Sequence, residues 1–213
     1  MTSRSDDTEA RRLEELWAGS FGDAYLARNL AAGAGRGEFW DSLLQAFPVR
    51  SVLEVGCSGG ANLQWIAAKC EVAHGVDVSR RALEVLSRAV PAAKGFLAEA
   101  QSLPFPGAAY DLVFTAGVLI HQPESSLVRV MSELVRVSCR YVLSLEYAAA
   151  ETEPVPYRGQ DDALFRRNYE TLYREWFPQL RLVKRGFLPA SSGWDDVTWW
   201  LFEKPQQSSV AAQ

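Results

Sequence analysis

A glycine-rich turn, Gly56-Cys-Ser-Gly-Gly60, directly follows the apolar run Val52–Val55. Glycine lets the backbone approach a ligand closely, and the helix predicted after the turn offers free N–H donors. Asp77 ends the next apolar run, about 20 residues on, where nucleotide-binding α/β folds place a carboxylate that accepts hydrogen bonds from ribose hydroxyls. The glycine-rich segment could instead be an ordinary turn, and Asp77 could instead cap the following helix. The spacing between the two features favours a cofactor site.

Two further groups of residues could act on a substrate. His121 follows the fourth predicted strand, at the edge of the sheet where ligands bind, and its ordinary pKa near 6.5 suits a base or an anion ligand. Tyr157, Arg158, Arg166 and Arg167 form a local basic and aromatic cluster, and arginine suits a phosphonate, phosphate or carboxylate. The alternatives are a satisfied polar histidine and, for Arg166 and Arg167, solvated helix residues. Arg158 is the better anion ligand.

The N-terminal segment supplies a third group, which we expect to act as a lid. Tyr25 is a candidate catalytic residue, Arg28 is expected to pair with a carboxylate of the cofactor or the substrate, and Asn29 is expected to contact the cofactor. A solvated helix face is the alternative.

The composition sets limits on the class of protein. The chain has 213 residues, 48% hydrophobic and 23% charged, which suits one α/β domain. The net charge of −4 gives no basic excess, so a nucleic-acid partner is not expected. The sequence shows no apolar run long enough to span a membrane, and its N-terminus lacks the apolar core of a signal peptide. We therefore expect a cytoplasmic protein. The three cysteines, Cys57, Cys70 and Cys139, are widely spaced and only two histidines are present, so no metal site is expected.

Alternating apolar runs and helical patterns predict an α/β fold with a mainly parallel seven-stranded sheet and helices on both faces. The predicted strands are 51–55, 72–76, 94–98, 110–114, 141–145, 180–188 and 196–202, and the predicted helices are 61–69, 80–90, 123–137 and 161–176, after helices within 8–47. We predict an N-terminal helical segment or lid (1–47), a Rossmann-like domain (48–204) and a flexible tail (205–213). A homodimer would form if the helix face with Leu13, Leu16 and Trp17 packs on a neighbour.

The motifs together resemble those of the class I S-adenosylmethionine-dependent methyltransferases, over roughly residues 49–145. The run Glu54–Gly60 is similar to the first motif of that family, although Ser58 stands where glycine is usual, and Asp77 matches the ribose acid. Ala98–Pro106 resembles the adenine loop, with Glu99 where a carboxylate receives the adenine amino group, and Tyr110–Thr115 looks like the fourth strand. The resemblance implies S-adenosylmethionine as cofactor, S-adenosylhomocysteine as product, and no metal. The expected cofactor contacts are Arg28, Asn29, Glu54, Gly56, Cys57, Ser58, Gly59, Asp77, Val78, Glu99, Ala100 and Thr115.

The flanking segments resemble a narrower subgroup, the pseudaminic-acid-associated methylases, and are similar to the phosphonate O-methyltransferase of the dehydrophos antibiotic pathway. The segments that carry this resemblance are Phe21–Asn29, Gly117–Pro123, Glu146-Tyr147, Pro154–Gly159 and Leu164–Arg167. Together with the arginine cluster, the resemblance predicts O-methylation of a small anionic metabolite, first a phosphonate oxygen in natural-product biosynthesis, with His121 and Tyr25 as catalytic residues. The alternative acceptor is a hydroxyl or carboxylate of an acidic sugar, with His121 as base.

A noncatalytic S-adenosylmethionine-binding module is the alternative of another class. A dehydrogenase is disfavoured, because a dinucleotide needs the G-x-G-x-x-G turn.

Overall fold

The computed structural model describes residues 4–29 and 33–205. Its strands are β1 (Ser51–Val55), β2 (Val72–Asp77), β3 (Lys94–Leu97), β4 (Tyr110–Ala116), β5 (Ser138–Glu146), β6 (Glu153–Pro154), β7 (Phe165–Arg166), β8 (Arg181–Leu188) and β9 (Val197–Glu203). Its α-helices are α1 (Arg4–Ala18), α2 (Ser20–Arg28), α3 (Gly37–Ala46), α4 (Leu63–Ile66), α5 (Arg80–Ala89), α6 (Glu124–Val137) and α7 (Tyr169–Trp176). Most of the predicted tail, residues 206–213, lies outside the described residues.

One sheet of seven strands organises the molecule, in the order β3-β2-β1-β4-β5-β9-β8. The five strands from β3 to β5 pair in parallel, and β9 runs antiparallel between β5 and β8. This arrangement confirms the predicted Rossmann-like α/β fold with a mainly parallel seven-stranded sheet. The strand order reverses between β1 and β4, and open α/β sheets bind their ligands at the carboxyl ends of the strands at such a point.

The central strands are apolar because both faces of the sheet are covered. On one face, Met131 and Leu134 of α6 and Tyr173 of α7 lie in the main buried cluster. On the other face, Trp40 and Leu43 of α3 pack in a second buried cluster with residues of β1, β4, β5 and β9. Helices therefore cover both faces, as predicted. Within the described ranges, no helix is long and apolar enough to cross a bilayer.

The two N-terminal helices pack on the rest of the chain. Helix α1 contacts α2 and α6, and α2 contacts α5. Leu13 and Leu26 are buried in these contacts. At Gly22, an added Cβ would lie 1.9 Å from the carbonyl oxygen of Trp17, so only glycine allows the two helices to approach this closely. The helix face that the dimer prediction assigned to a neighbour is thus occupied within the chain, and the homodimer remains a prediction without an assigned surface.

Two predicted helices are shorter in the structure. The helix predicted over 161–176 begins only at Tyr169, so the prediction was wrong for its first half. The backbone N–H of Val155 donates to the carbonyl of Leu164 at 2.8 Å, and β7 pairs with β6 beside it. Such a partner, distant along the chain, overrides a helical pattern. The helix predicted over 61–69 is reduced to α4, because the chain then makes a tight turn into β2.

Candidate active site

A cavity of about 250 Å³ lies at the carboxyl ends of β1, β2 and β4. The glycine turn after β1 and the turn after β4 form one side of it, and residues of α1 and α2 form the other. This is the point where the strand order reverses, so the cavity occupies the expected ligand position of the fold.

The glycine turn is held in a conformation that few residues adopt. Gly56 has φ of 76°, and an added Cβ would lie 2.3 Å from Cγ2 of Val118. Ser58, at the position where the resembling family has glycine, has φ of 46°. Its backbone N–H donates to Oδ2 of Asp77 at 2.8 Å, which offsets part of the cost of that conformation.

Asp77 links the glycine turn to the next helix. Its Oδ1 accepts a hydrogen bond from the backbone N–H of Ser79 at 2.8 Å, and Ser79 in turn caps α5 by accepting from the N–H of Ala82. Burial raises the pKa of the Asp77 carboxyl, and backbone donors lower it in part. Backbone donors therefore fix both oxygens in place beside the cavity.

Glu54 and Arg36 make a polar end of the cavity. Oε1 of Glu54 accepts from Nδ2 of Asn62 at 2.6 Å, whereas Oε2 is buried and has no partner among the described residues. Burial raises the pKa of Glu54 to about 8. Arg36 donates to Oδ1 of Asn62 at 3.1 Å and to the carbonyl of Gly193 at 3.0 Å. This end thus offers an unsatisfied carboxyl oxygen next to a half-buried cation.

The loop after β3 forms another part of the wall through Ala98 and Ala100. Glu99, expected to meet the adenine amino group, is exposed and is not part of the described wall. Glu14 of α1 lines the cavity here instead, and its Oε1 accepts from Nε2 of Gln101 at 2.5 Å. A carboxyl group is therefore present at the adenine end, but it comes from the N-terminal helix.

His121 lies in the cavity wall and is buried. Its Nδ1 is 2.6 Å from the carbonyl oxygen of Ala163, which can only accept, so Nδ1 carries the proton and Nε2 keeps its lone pair. Burial lowers the pKa of His121 to about 4, so the ring is neutral near pH 7. The residue is available as a hydrogen-bond acceptor.

An aromatic cluster surrounds His121. The ring centroid of Trp17 lies 4.5 Å from that of His121, and the ring of Tyr157 lies 5.2 Å from it. Tyr25 packs edge-on against Trp17 at 5.3 Å. Burial raises the pKa of Tyr25, so its hydroxyl remains protonated and acts as a donor rather than a base.

Glu146, at the end of β5, holds the turn that carries His121. It is fully buried, and Oε1 accepts from the hydroxyl of Thr115 at 2.8 Å and from the N–H of Val118 at 3.3 Å. Its Oε2 accepts from the N–H of Ile120 at 3.3 Å. Thr115, predicted to contact the cofactor, is thus buried inside the sheet and bonded to Glu146, outside the described cavity wall.

Arg167 holds the same turn from the other side. It is buried, and its guanidinium donates to the carbonyls of Leu119 and Gln122 at 3.3 and 2.8 Å. Arg167 was predicted to bind substrate, but its donors are engaged by the backbone. The physical reason is that residues 161–168 are not helical and bring this side chain beneath the turn.

The other arginines of the predicted cluster do not converge on the cavity. Arg166 is exposed and pairs with Glu153 at 3.6 Å. Arg158 is exposed on a tight turn, with its guanidinium 5.8 Å from the ring centroid of Tyr157. Arg28 is exposed on α2 and does not belong to the described wall. Arg36 is the one arginine in the wall as described.

The structure therefore brings together most of the predicted cofactor residues and both predicted catalytic ones. Those in the described wall are Tyr25, Asn29, Glu54, Gly56, Cys57, Ser58, Gly59, Asp77, Val78, Ala100 and His121. Those outside it are Arg28, Glu99, Thr115, Tyr157, Arg158, Arg166 and Arg167. Within the described residues, no group of three or more histidine, cysteine, aspartate or glutamate side chains could hold a metal ion.

Among the wall residues that sequence reasoning missed are Glu14, Trp17, Arg36 and Asn62. Trp17 was read only as part of an apolar helix face. The signal for Arg36 was its position between Gly35 and Gly37, where an arginine beside a flexible turn can reach inward. Glu14 gave no local signal.

Comparison with known proteins agrees with this geometry. Residues 52–139 match the family model of a methyltransferase domain. The solved structure of an S-adenosylmethionine-dependent methyltransferase from Leishmania major superposes with a TM-score of 0.71 at 15% identity, covering 92% of this chain and 83% of that chain. The 1,6-didemethyltoxoflavin-N1-methyltransferase of Burkholderia thailandensis, solved with 1,6-didemethyltoxoflavin and S-adenosylhomocysteine, superposes with a TM-score of 0.70 at 13% identity, covering 96% and 91%.

A third similar structure is the [4+2]-cyclase SpnF, with a TM-score of 0.60 at 17% identity, covering 80% of this chain and 82% of that chain. No curated protein matches the chain. At these identities the structural likeness establishes the fold, which is that of the S-adenosylmethionine-dependent methyltransferases.

The cavity suits S-adenosylmethionine, the cofactor of this fold. The unpartnered Oε2 of Glu54 suits the ammonium group of the methionine part, and Arg36 suits its carboxylate. Asp77 suits the ribose hydroxyls. When bound, this cofactor supplies a methyl group made electrophilic by the sulfonium.

Proposed function

We propose that this chain, which carries a methyltransferase domain on the class I S-adenosylmethionine-dependent fold, is an O-methyltransferase acting on a small acceptor. One observation carries the proposal: a single cavity contains both the cofactor residues, Glu54 and Asp77, and a buried neutral histidine, His121. An acceptor next to His121 would therefore share one enclosed space with the cofactor.

Methyl transfer depends more on the alignment of the methyl donor and the acceptor than on a strong acid or base supplied by the protein. Holding two reactants in line can supply roughly 7–11 kcal/mol of the barrier. His121 is a weak base, since burial lowers its pKa to about 4, but its neutral Nε2 can accept a hydroxyl proton as that proton becomes acidic during transfer. Tyr25, which stays protonated, can donate a hydrogen bond to the acceptor.

An anionic acceptor, such as a phosphonate oxygen, is the second candidate. Arg158 lies over the ring of Tyr157, which itself contacts His121, so an anion at this edge would meet one cation. Fewer arginines support this candidate than the sequence predicted, because Arg166 pairs with Glu153 and Arg167 donates to a backbone carbonyl. An acidic sugar would instead depend on His121 as base.

A methyl-transfer assay with labelled S-adenosylmethionine tests the proposal. The acceptor panel contains small phenols, methylphosphonate, phosphonopeptides, acidic sugars and small carboxylic acids, and Asp77→Ala serves as the cofactor-binding control. Label on an oxygen supports the proposal, and the labelled compound chooses between the two candidates. Label only on nitrogen or carbon would contradict O-methylation. Tight cofactor binding with no transfer to any acceptor would favour the noncatalytic alternative, and SpnF, a cyclase on this fold, shows that the fold alone does not decide.

A further inference from the structure

Within the part of the chain that the structure describes, the indole N–H of Trp17 has no hydrogen-bond partner. Its Nε1 is buried, and no acceptor lies within reach among the described residues. By contrast, Nε1 of Trp65 donates to the carbonyl of Gly33 at 2.9 Å, and Nε1 of Trp40 reaches Oδ1 of Asn62 at 3.4 Å. A buried hydrogen-bond donor without an acceptor destabilises the folded protein, and native proteins rarely contain one. Trp17 lines the cavity, so a bound ligand can supply the missing acceptor.

The surroundings of Trp17 restrict what that ligand can be. The four rings next to it belong to Phe21, Tyr25, His121 and Tyr157, with centroids 5.3, 5.3, 4.5 and 6.4 Å away. Aromatic surfaces favour a flat ring, which stacks or packs edge-on against them. An ammonium group is disfavoured beside an N–H donor. A doubly charged anion is disfavoured too, because Arg36, the one arginine of the wall as described, is the group that suits the carboxylate of the cofactor.

We propose that the acceptor substrate is a small, planar conjugated ring bearing an oxygen, and that the indole N–H of Trp17 binds that oxygen. The inference rests on the proposed function and specifies its substrate class. Trp17 and His121 then face the same ligand with complementary groups. The indole donates to one oxygen of the ring, and the unprotonated Nε2 of His121 accepts from a neighbouring hydroxyl.

The test uses the full-length protein saturated with S-adenosylhomocysteine and three neutral or anionic probes. Catechol has the planar ring and two adjacent hydroxyls, cis-1,2-cyclohexanediol has the hydroxyls without the planar ring, and methylphosphonate has the anion alone. Calorimetry should show that catechol binds at least about tenfold more tightly than either of the other two. In a sample with 15N-labelled indoles, the Trp17 N–H resonance, identified by its loss in Trp17→Phe, should move on addition of catechol.

The variant Trp17→Phe keeps an aromatic ring and removes only the donor. It should weaken catechol binding about fivefold or more and leave the affinity for S-adenosylhomocysteine unchanged. The control is Trp176→Phe, on α7 and away from the described cavity wall, which should change neither affinity. Equal affinities for catechol and the diol, an unmoved Trp17 resonance, or unchanged catechol binding in Trp17→Phe would each overturn the inference. Binding of S-adenosylhomocysteine is measured first, and its absence would refute the proposed function together with the inference.

Discussion

Glu54 and His121 are both buried in the cavity wall, and burial keeps each of them neutral at pH 7. It raises the pKa of Glu54 to about 8 and lowers that of His121 to about 4, because low-dielectric surroundings disfavour the charged form of either group. The Glu54 carboxyl is protonated, and a cation bound beside it would favour loss of that proton. The His121 ring is unprotonated at Nε2 and can accept a proton from a hydroxyl.

Binding of S-adenosylhomocysteine at pH 7 should release up to about one proton. The ammonium group of the ligand would lie near the unpartnered Oε2 of Glu54 and lower the pKa of that carboxyl from about 8 to below the working pH. Calorimetry in phosphate and in Tris measures the release, because the two buffers differ in ionisation enthalpy. Glu54→Gln is the matched control and should release none. Identical heats in both buffers for the natural protein would contradict the assignment.

His121 should make the protein less stable in mild acid. The folded-state pKa of about 4 lies below the unfolded value near 6.5, so the unfolded chain binds more protons between these values and stability falls as the pH drops through that window. His121→Gln keeps a donor for the Ala163 carbonyl and does not titrate. Urea unfolding at pH 7 and pH 5 should show a smaller loss in the variant, by about 2 kcal/mol. The same loss in both proteins would show that His121 is not held neutral.

The site residues that could be predicted are those whose position follows from the local chain. Asp77 and the glycine turn each follow a strand directly, so their place at the sheet edge could be read from order and spacing. Trp17 and Arg36 reach the cavity from helices and loops that precede the first strand, and no local pattern states where those elements dock. Arg167 lies beneath the turn and outside the described wall for the related reason that its segment is not helical.

The conformation of the turn between β4 and α6 is fixed by hydrogen bonds to residues that are distant in the sequence. Glu146 accepts from its N–H groups, Arg167 donates to its carbonyls, and Ala163 accepts from His121. Glu146 has no cation bonded to it in the described structure, and burial raises its pKa to about 7. Its carboxyl group therefore changes charge close to neutral pH, within the element that positions His121.

Glu146 should make the protein less stable as the pH rises. Its folded-state pKa of about 7 lies above the ordinary value of 4.5 that it has in the unfolded chain, so its stabilising contribution is complete below pH 4.5 and is lost as the pH rises through 7. Between pH 5 and pH 8 the loss is about 2–3 kcal/mol, or roughly 5–10 °C in Tm. Glu146→Gln should lack this part of the decline in a thermal-denaturation series over that range. A variant with the same decline as the natural protein would contradict the assignment.

At the same scale, the strands were more predictable than the helices. Strands β1 and β2 follow from apolar runs because a central parallel strand is buried on both faces. The segment 161–168 has a helical pattern, but pairing between its backbone and β6 determines its conformation. Local periodicity contains no information about such pairing.

The molecule as a whole builds its cavity from two parts of the chain. The sheet edge supplies the glycine turn, Asp77 and His121, and the N-terminal helices supply Glu14, Trp17 and Tyr25. The class of fold could be predicted from the order of strands and motifs. The contribution of α1 and α2 to the wall could be predicted only in outline, as a lid.

Ligand binding should therefore order both parts together. Hydrogen exchange followed by mass spectrometry should slow in α1 and α2, as well as in the glycine turn, when S-adenosylhomocysteine is added. Strand β8, at the edge of the sheet and outside the cavity wall, provides an internal comparison and should change least. Protection confined to the glycine turn would show that the helices do not close on this ligand.

The docking of α1 on α6 and of α2 on α5 has a consequence for synthesis. Helices α1 and α2 are synthesised before the elements they pack on, and at 5–20 residues per second the roughly 50 residues between α2 and α5 and the roughly 100 between α1 and α6 take on the order of 3–20 s. During that interval Leu13 and Leu26, buried in the finished molecule, lack the surfaces of α6 and α5 that help to cover them. We expect the nascent chain to bind chaperones in this window, and α1 and α2, although made before the sheet, to dock after it.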